Sequence, residues 1–85
     1  MAEDPDQVSA LAQDIARYLE DSPHASDTID GIRRWWVRGR WADASTPLVS
    51  AALELLVRRH VMRSRTLADG SVVYLSAARR EPTGP

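Results

Sequence analysis

Cysteine and long apolar runs are both missing from this chain of 85 residues. Without cysteine, disulfides, zinc-thiolate sites and thiol catalysis are excluded. No apolar run approaches the roughly 18–20 residues that a membrane-spanning helix needs. The N-terminal sequence MAEDPDQ is acidic, whereas a secretory signal begins with basic residues. We therefore expect a soluble, cytoplasmic protein that does not associate with membranes.

Lysine is also missing, so all basic residues of the chain are arginines. They are unevenly distributed: residues 1–32 carry a net charge of −7, and residues 33–85 carry +6. The basic part of the chain is suited to an anionic partner. Alternatively, the acidic and basic parts satisfy each other within one small domain.

Patterns that indicate catalysis or metal binding are lacking as well. His24 and His60 are far apart in sequence, and no acidic pair lies beside either at the spacing of metal ligands. No serine has a recognisable base partner, and there is no glycine-rich phosphate loop. We expect a non-catalytic protein with no metal, no cofactor and no small-molecule substrate.

The N-terminal half of the chain predicts two helices within a single domain. Asp4 and Pro5 begin the first helix, which ends at Asp21 before Ser22-Pro23. Ser26 or Asp27 is expected to cap a second helix that runs to about residue 37. Apolar residues recur at helical spacing in both helices: Val8, Leu11, Ala12, Ile15 and Leu19, then Ile29, Ile32 and Trp36.

Two further features of this half carry predictions. Gly31, in the middle of the second helix, is expected to allow close approach of the first helix. Three tryptophans, Trp35, Trp36 and Trp41, are expected in the core with arginines over their edges. Alternatively, they form a platform for phosphate or single-stranded nucleic acid with nearby arginines: Arg33, Arg34, Arg38 and Arg40.

The segment from residue 46 to residue 75 predicts a third helix followed by a hairpin. Thr46 and Pro47 begin a helix that extends to about His60. Two strands, near residues 61–67 and 72–76, then flank Asp69-Gly70, a typical two-residue hairpin turn. That turn places three side chains toward the core, Met62, Val73 and Leu75. It places four outward: Arg63, Arg65, Val72 and Tyr74.

The order of three helices and a hairpin over residues 5–76 resembles the winged helix-turn-helix superfamily. The segment HASDTIDGIRRWW, residues 24–36, also resembles a pattern found in small bacterial winged-helix proteins. The resemblance implies a mainly helical α+β fold with a C-terminal two-stranded wing. Residues 1–78 then form one winged-helix domain, and residues 79–85 form a flexible tail.

Our first functional hypothesis is a protein-interaction module. The third helix is apolar nearly all round: one stripe can face the core, and Leu48, Ala51 and Leu55 form a second stripe. An exposed apolar stripe marks a surface for a protein partner or a second copy of the chain. Alternatively, one stripe packs on the second helix and the other packs under the wing.

The second hypothesis is a transcription regulator that binds double-stranded DNA. In DNA-binding members of the superfamily, the third helix enters the major groove and the wing contacts the backbone or the minor groove. Transferred to this chain, Ser50 and Glu54 face bases, and a glutamate can accept a hydrogen bond from cytosine. The phosphates are held by four arginines: Arg58, Arg59, Arg63 and Arg65.

Overall fold

The computed structural model describes residues 3–37 and 39–77. Helix α1 (Pro5–Asp21) leads to strand β1 (Ser26–Asp27) and to helix α2 (Ile29–Gly31), which continues as a π-helical turn (Ile32–Trp36). A 3₁₀ turn (Gly39–Trp41), helix α3 (Thr46–Arg58) and strands β2 (Met62–Thr66) and β3 (Val72–Ser76) follow. The α+β class is confirmed. The predicted tail, residues 79–85, lies outside the described residues.

Helix α1 has the predicted bounds and the predicted core face. The Asp4 carboxylate accepts a hydrogen bond from the backbone N–H of Asp6 at 2.9 Å, and Pro5 lies in the first turn. Both features favour a helix start, since proline has no N–H to leave unsatisfied there. The buried residues recur at helical spacing: Leu11, Ala12, Ile15 and Leu19.

The sheet has three strands, whereas the sequence predicted two. Ser26 and Asp27 do not cap α2; they form β1, which pairs antiparallel with β3. Thr28 is the cap, because its hydroxyl accepts a hydrogen bond from the Gly31 N–H at 3.1 Å. The strand order is β1-β3-β2. The predicted cap was wrong because β3 offers backbone groups to residues 26–27, a partner that no local pattern reveals.

Gly31 does not serve the predicted approach of α1. A Cβ atom at this position meets the carboxylate of Asp27, which fills the space where the side chain would project. The Asp27 Oδ1 accepts a hydrogen bond from the Thr28 N–H at 2.8 Å. The glycine therefore makes room for the turn that joins β1 to α2.

The tryptophans have different environments. Trp36 and Trp41 are buried, and Trp36 stacks on Tyr18 with ring centroids 4.7 Å apart, as expected of core residues. Trp35 is 66% exposed, so its predicted burial was wrong. Adjacent helical residues point in different directions, and Trp36 takes the position that faces α1. Arg40 lies over the Trp41 ring at 4.7 Å, whereas Arg38 is outside the described residues.

The hairpin register differs from the prediction by one residue. Arg63 pairs with Leu75, and Ser64 pairs with Tyr74. The loop has three residues rather than two: Leu67 accepts from the Gly70 N–H at 3.0 Å and donates to Ser71 at 2.7 Å. Gly70, with φ of +91°, supplies the left-handed conformation that such loops use.

This shift exchanges the predicted faces of β3, because neighbouring residues of a strand point to opposite sides. Tyr74 lies on the same face as Met62 and packs against the main core. Val73 and Leu75 share the other face with Arg63 and Arg65. The predicted inward direction of Met62 is confirmed. Leu75 is buried as predicted, with 2% of its surface exposed, but it lies on the opposite face from Met62, and Val73 on that face is half-buried. Tyr74 and Val72 were wrongly predicted to share a face with the two arginines.

The main core lies between the helices and one face of the hairpin. It contains the four buried residues of α1, Ile32 and Trp36 of the α2 segment, the α3 residues described below, and Met62. No charged or polar residue is buried in the described part of the chain. The ionisable side chains, and with them any chemistry they can support, are therefore at the surface.

Candidate nucleic-acid interface

Helix α3 buries one arc of its surface and presents the opposite arc to solvent. Ser45 caps it, one residue before the predicted cap, by accepting from the Leu48 N–H at 3.2 Å. The helix ends at Arg58, two residues before the predicted end. The buried residues are Leu48, Val49, Ala52, Leu53 and Leu56. At about 100° per residue they span an arc of about 140°.

Leu48 belongs to this buried arc, with 7% of its surface exposed. The expectation that it lies on a second, exposed apolar stripe was wrong. Leu48 lies only about 40° from Ala52 around the helix, so it faces the core with that residue. Ala51 and Leu55 lie just outside the arc and are half-buried, and Leu55 packs against the core. The exposed apolar surface of α3 is therefore much smaller than the sequence suggested.

The solvent-facing arc of α3 carries Ser50, Glu54 and Arg58. Ser50 is half-buried, whereas Glu54 and Arg58 are exposed. Their spacing of four residues aligns them along one side of the helix. Arg59, which follows the helix, is also exposed. These four residues of the predicted DNA-binding set lie along α3 and at its C-terminal end.

A cleft of about 300 Å³ separates this side of α3 from the hairpin. Glu54, Val57 and Arg58 line it from the helix, and Ser64 and Tyr74 line it from the sheet. Ser64 and Tyr74 are directly opposite each other on β2 and β3, so both side chains are on the same face. The cleft thus combines one guanidinium group, one carboxylate and two hydroxyl groups.

Arg63 and Arg65 are separated from this cleft. They alternate with Ser64 along β2 and therefore point to the opposite face of the hairpin. Arg63 is half-buried beside its cross-strand neighbour Leu75, and Arg65 is exposed. The six residues of the predicted DNA-binding set consequently form two groups, one along α3 and one on the outer face of the hairpin.

The ion pairs of the described residues do not involve the arginines at the end of α3. Arg17 pairs with Asp14 at 3.7 Å, and Arg33 and Arg34 both pair with Asp30 at 3.1 Å. Within residues 3–37 and 39–77, neither Arg58 nor Arg59 makes an ion pair or a side-chain hydrogen bond. The i, i+4 pairing of Glu54 with Arg58 that helices often show is not formed. The acidic and basic parts of the chain therefore do not neutralise each other at α3.

The tip of the hairpin carries a stable negative charge. The Asp69 carboxylate accepts a hydrogen bond from the Ser71 N–H at 2.9 Å. This backbone hydrogen bond, with a smaller contribution from the Ser71 hydroxyl, holds the pKa of Asp69 below its usual value. Asp69 therefore remains ionised at neutral pH, which disfavours phosphate contacts at the extreme tip of the hairpin.

Sequence reasoning missed Ser64 and Tyr74 as members of the site. The two-residue turn expected at Asp69-Gly70 placed Tyr74 on the outer face, away from α3. The triplet Asp69-Gly70-Ser71 contains a relevant signal, because an aspartate often accepts from the backbone two residues ahead in a turn. That signal was compatible with more than one loop length, and only the pairing of the strands distinguishes them.

The described residues contain neither a candidate metal site nor a candidate membrane span. In the described ranges, no group of three histidine, aspartate or glutamate side chains is arranged to hold a metal ion. No helix in the same part of the chain is long and apolar enough to cross a bilayer. Comparison of the chain with protein-family models, curated proteins and solved structures gave no match.

Proposed function

We propose that this chain is a winged helix-turn-helix domain that binds double-stranded DNA through α3 and the adjoining hairpin. The order of three helices and a hairpin, which carries the resemblance to that superfamily, supports the fold assignment. The observation that carries the functional proposal is the polar solvent-facing side of α3, which ends in two arginines without acidic partners among the described residues. Unpaired arginines on one surface are suited to the phosphate backbone.

We assign roles to the residues of this surface according to the two kinds of contact in protein–DNA interfaces. Contacts to phosphate position the protein, and contacts to base edges determine sequence preference. Arg58 and Arg59 are our candidates for phosphate contacts, and Ser50 and Glu54 are our candidates for base contacts. Arg63 and Arg65, on the outer face of the hairpin, contribute to the positive field and to backbone contacts on that side.

The proposal is tested by measuring the salt dependence of binding to a fluorescein-labelled DNA duplex by anisotropy, at about 50 to 200 mM salt. We expect affinity to fall steeply as salt increases. The double variant Arg58→Ala/Arg59→Ala should reduce the slope of log K against log salt by about 1.8, because each arginine that no longer neutralises a phosphate lowers it by about 0.9.

The double variant Arg17→Ala/Arg34→Ala is the matched control. It removes the same charge from arginines that already pair with Asp14 and Asp30. We expect it to leave the slope nearly unchanged. Absence of duplex binding by the unaltered chain at low salt, or equal effects of the two double variants, would show that α3 is not a DNA-binding element.

A second candidate function is interaction with a protein partner or with a second copy of the chain. Trp35 supports it, rather than the residues of α3 that the sequence suggested. Burial of Leu48 removes one of the three residues that suggested docking on α3, and the other two, Ala51 and Leu55, are half-buried. Trp35, however, exposes 66% of its surface, and exposed tryptophans often anchor protein interfaces. Sedimentation of the chain and of Trp35→Ser tests self-association. A concentration-dependent dimer that the substitution abolishes supports this function, and a monomer in both samples excludes self-association through Trp35.

A further inference from the structure

We propose that the cleft between α3 and the hairpin holds one phosphate of the bound duplex, with Arg58, Ser64 and Tyr74 as its three donors. This inference rests on the DNA-binding function proposed above and adds two neutral residues to it. It also assigns a specific role to the hairpin, since the inner face of the strands, rather than the arginines on the outer face, contacts this phosphate.

The geometry brings the three donors together from two elements. Ser64 and Tyr74 are cross-strand neighbours, so their side chains leave the sheet on the same face. Arg58 approaches from the end of the solvent-facing side of α3, and all three residues line the same cleft. With a volume of about 300 Å³, the cleft can admit a phosphate group with its ester oxygens.

The donors of these three residues are not committed to other described residues. Within the described part of the chain, the Ser64 and Tyr74 hydroxyls and the Arg58 guanidinium have no hydrogen-bond or ion-pair partner. Tyr74 is half-buried, and its ring packs against the core. Three residues with donor groups around one cleft fit an anion with several acceptor oxygens.

Glu54 favours a nucleotide over a free anion as the occupant. Glu54 lines the same cleft, and its negative charge disfavours any anion that lacks a compensating donor. A nucleotide unit offers both kinds of group. Its phosphate accepts from Arg58, Ser64 and Tyr74, while an amino group on a base edge, such as N4 of cytosine, donates to a carboxylate. The mixture of one acceptor and three donors therefore fits a DNA strand better than inorganic phosphate.

The inference is tested with Tyr74→Phe and Ser64→Ala in the same duplex-binding assay. Each substitution removes a hydroxyl without removing a cation. We expect each to weaken binding about 3- to 10-fold, with the salt slope unchanged because the number of released counterions stays the same. Arg58→Ala should weaken binding and also lower the slope by about 0.9. Inorganic phosphate, added at constant ionic strength, should compete poorly.

Tyr18→Phe is the matched control, because Tyr18 stacks on Trp36 and does not line this cleft. It should leave binding unchanged. Because Tyr74→Phe retains the packed ring, its thermal midpoint of unfolding should equal that of the unaltered chain. Weaker DNA binding with an unchanged midpoint then reports the loss of a phosphate contact and not partial unfolding. If the duplex binds and Tyr74→Phe behaves like Tyr18→Phe, the phosphate site is wrong while the proposed function stands. If the unaltered chain does not bind the duplex, both are wrong.

Discussion

His60 adopts a conformation that few residues other than glycine adopt. Its φ is +62°, in the left-handed region. The His60 N–H donates to the Val57 carbonyl at 3.0 Å, and the Val61 N–H donates to the Leu56 carbonyl at 2.9 Å. These two bonds define a Schellman motif, which ends α3 and directs the chain into β2. The left-handed residue of that motif is usually glycine, because side chains with a Cβ atom are strained there.

Replacing His60 with glycine should therefore stabilise the chain. Relief of about 1–2 kcal/mol of left-handed strain is partly offset by about 0.4–1 kcal/mol from the greater freedom of glycine in the unfolded chain. We expect the free energy of unfolding to rise by about 0.5–1 kcal/mol, measured by chemical denaturation. His60→Ala retains the strain and should show no such gain, so equal stability of the two variants would contradict the strained conformation.

At the scale of elements, the turn between β1 and α2 depends on a close approach between Gly31 and Asp27. The Gly31 N–H donates to the Thr28 hydroxyl, and the Asp27 carboxylate occupies the space beside Gly31 while accepting from the Thr28 N–H. The cap of α2 and the hydrogen bond that holds the Asp27 carboxylate thus lie within one turn of chain. The sequence shows each of these residues but does not show that the carboxylate folds back toward the glycine.

Gly31→Ala should have opposite effects in two backgrounds. In the unaltered chain, the new methyl group displaces the Asp27 carboxylate, which loses its hydrogen bond to the Thr28 N–H. That loss costs about 0.5–1.5 kcal/mol of stability. It therefore cancels or exceeds the stability that the higher helix propensity of alanine contributes. In the Asp27→Ala background, only that propensity remains, and stability should rise by up to about 1 kcal/mol. Thermal denaturation of the four chains measures this coupling. Identical effects in both backgrounds would show that the two residues do not interact.

The burial pattern of α3 gives a second prediction at this scale. Leu48 is buried at the margin of the core arc, whereas Leu55 is half-buried just outside it. Leu48→Ala should lower the free energy of unfolding by about 2–3 kcal/mol because it leaves a cavity. Leu55→Ala should cost clearly less, since solvent already reaches that side chain. Denaturant titration compares the two variants, and the reverse ranking would mean that α3 is rotated from its described position.

At the scale of the whole molecule, one hydrogen bond connects distant parts of the chain. The Trp41 Nε1–H in the 3₁₀ turn donates to the carboxylate of Asp14 on α1, and Arg17 pairs with the same carboxylate. The Trp41 ring is buried, so the loop between α2 and α3 is held against the first helix. This hydrogen bond holds the loop that precedes α3, the helix that carries the candidate interface, against α1.

A double-mutant cycle between Trp41→Phe and Asp14→Ala isolates that hydrogen bond. Trp41→Phe also removes packing, so the single substitution is not informative alone. We expect a coupling free energy of about 1 kcal/mol from chemical denaturation, as for a partly exposed hydrogen bond to a charged group. The parallel cycle between Trp41→Phe and Arg17→Ala should give nearly zero. Additive effects in the first cycle would mean that the bond contributes nothing to stability.

The positive charge at the end of α3 persists in the described part of the folded molecule. Asp30 pairs with Arg33 and Arg34, and Asp14 pairs with Arg17 within α1, so these ion pairs join residues that are close in sequence. The arginines at the end of α3 remain without acidic partners in the described residues. Among the described residues, folding therefore leaves Arg58 and Arg59 without acidic partners, which is the condition that the proposed DNA contact requires.

Local sequence was sufficient for features that depend on neighbouring residues alone. The bounds of α1 follow from Asp4, Pro5 and Ser22-Pro23, and its core face follows from apolar spacing. The start of α3 was predicted to within one residue, and the hairpin strands to within one residue of their ends. Caps, proline and periodicity act within a few residues, and this is why they can be read without knowledge of the fold.

Tertiary structure alone decided the features that depend on distant residues. Strand β1 exists because β3 offers it a partner nearly fifty residues later in the chain, and one additional loop residue moved Tyr74 to the core side of the hairpin. Trp35 was expected in the core but is exposed, and Leu48 was expected at the surface but is buried. Both differences arise because the orientation of a helix is set by its packing against α1. The sequence determined which segments are helical and where charge accumulates. Packing determined which side chains meet at the cleft, because a side chain's direction depends on strand register and helix rotation, which no short stretch of sequence specifies.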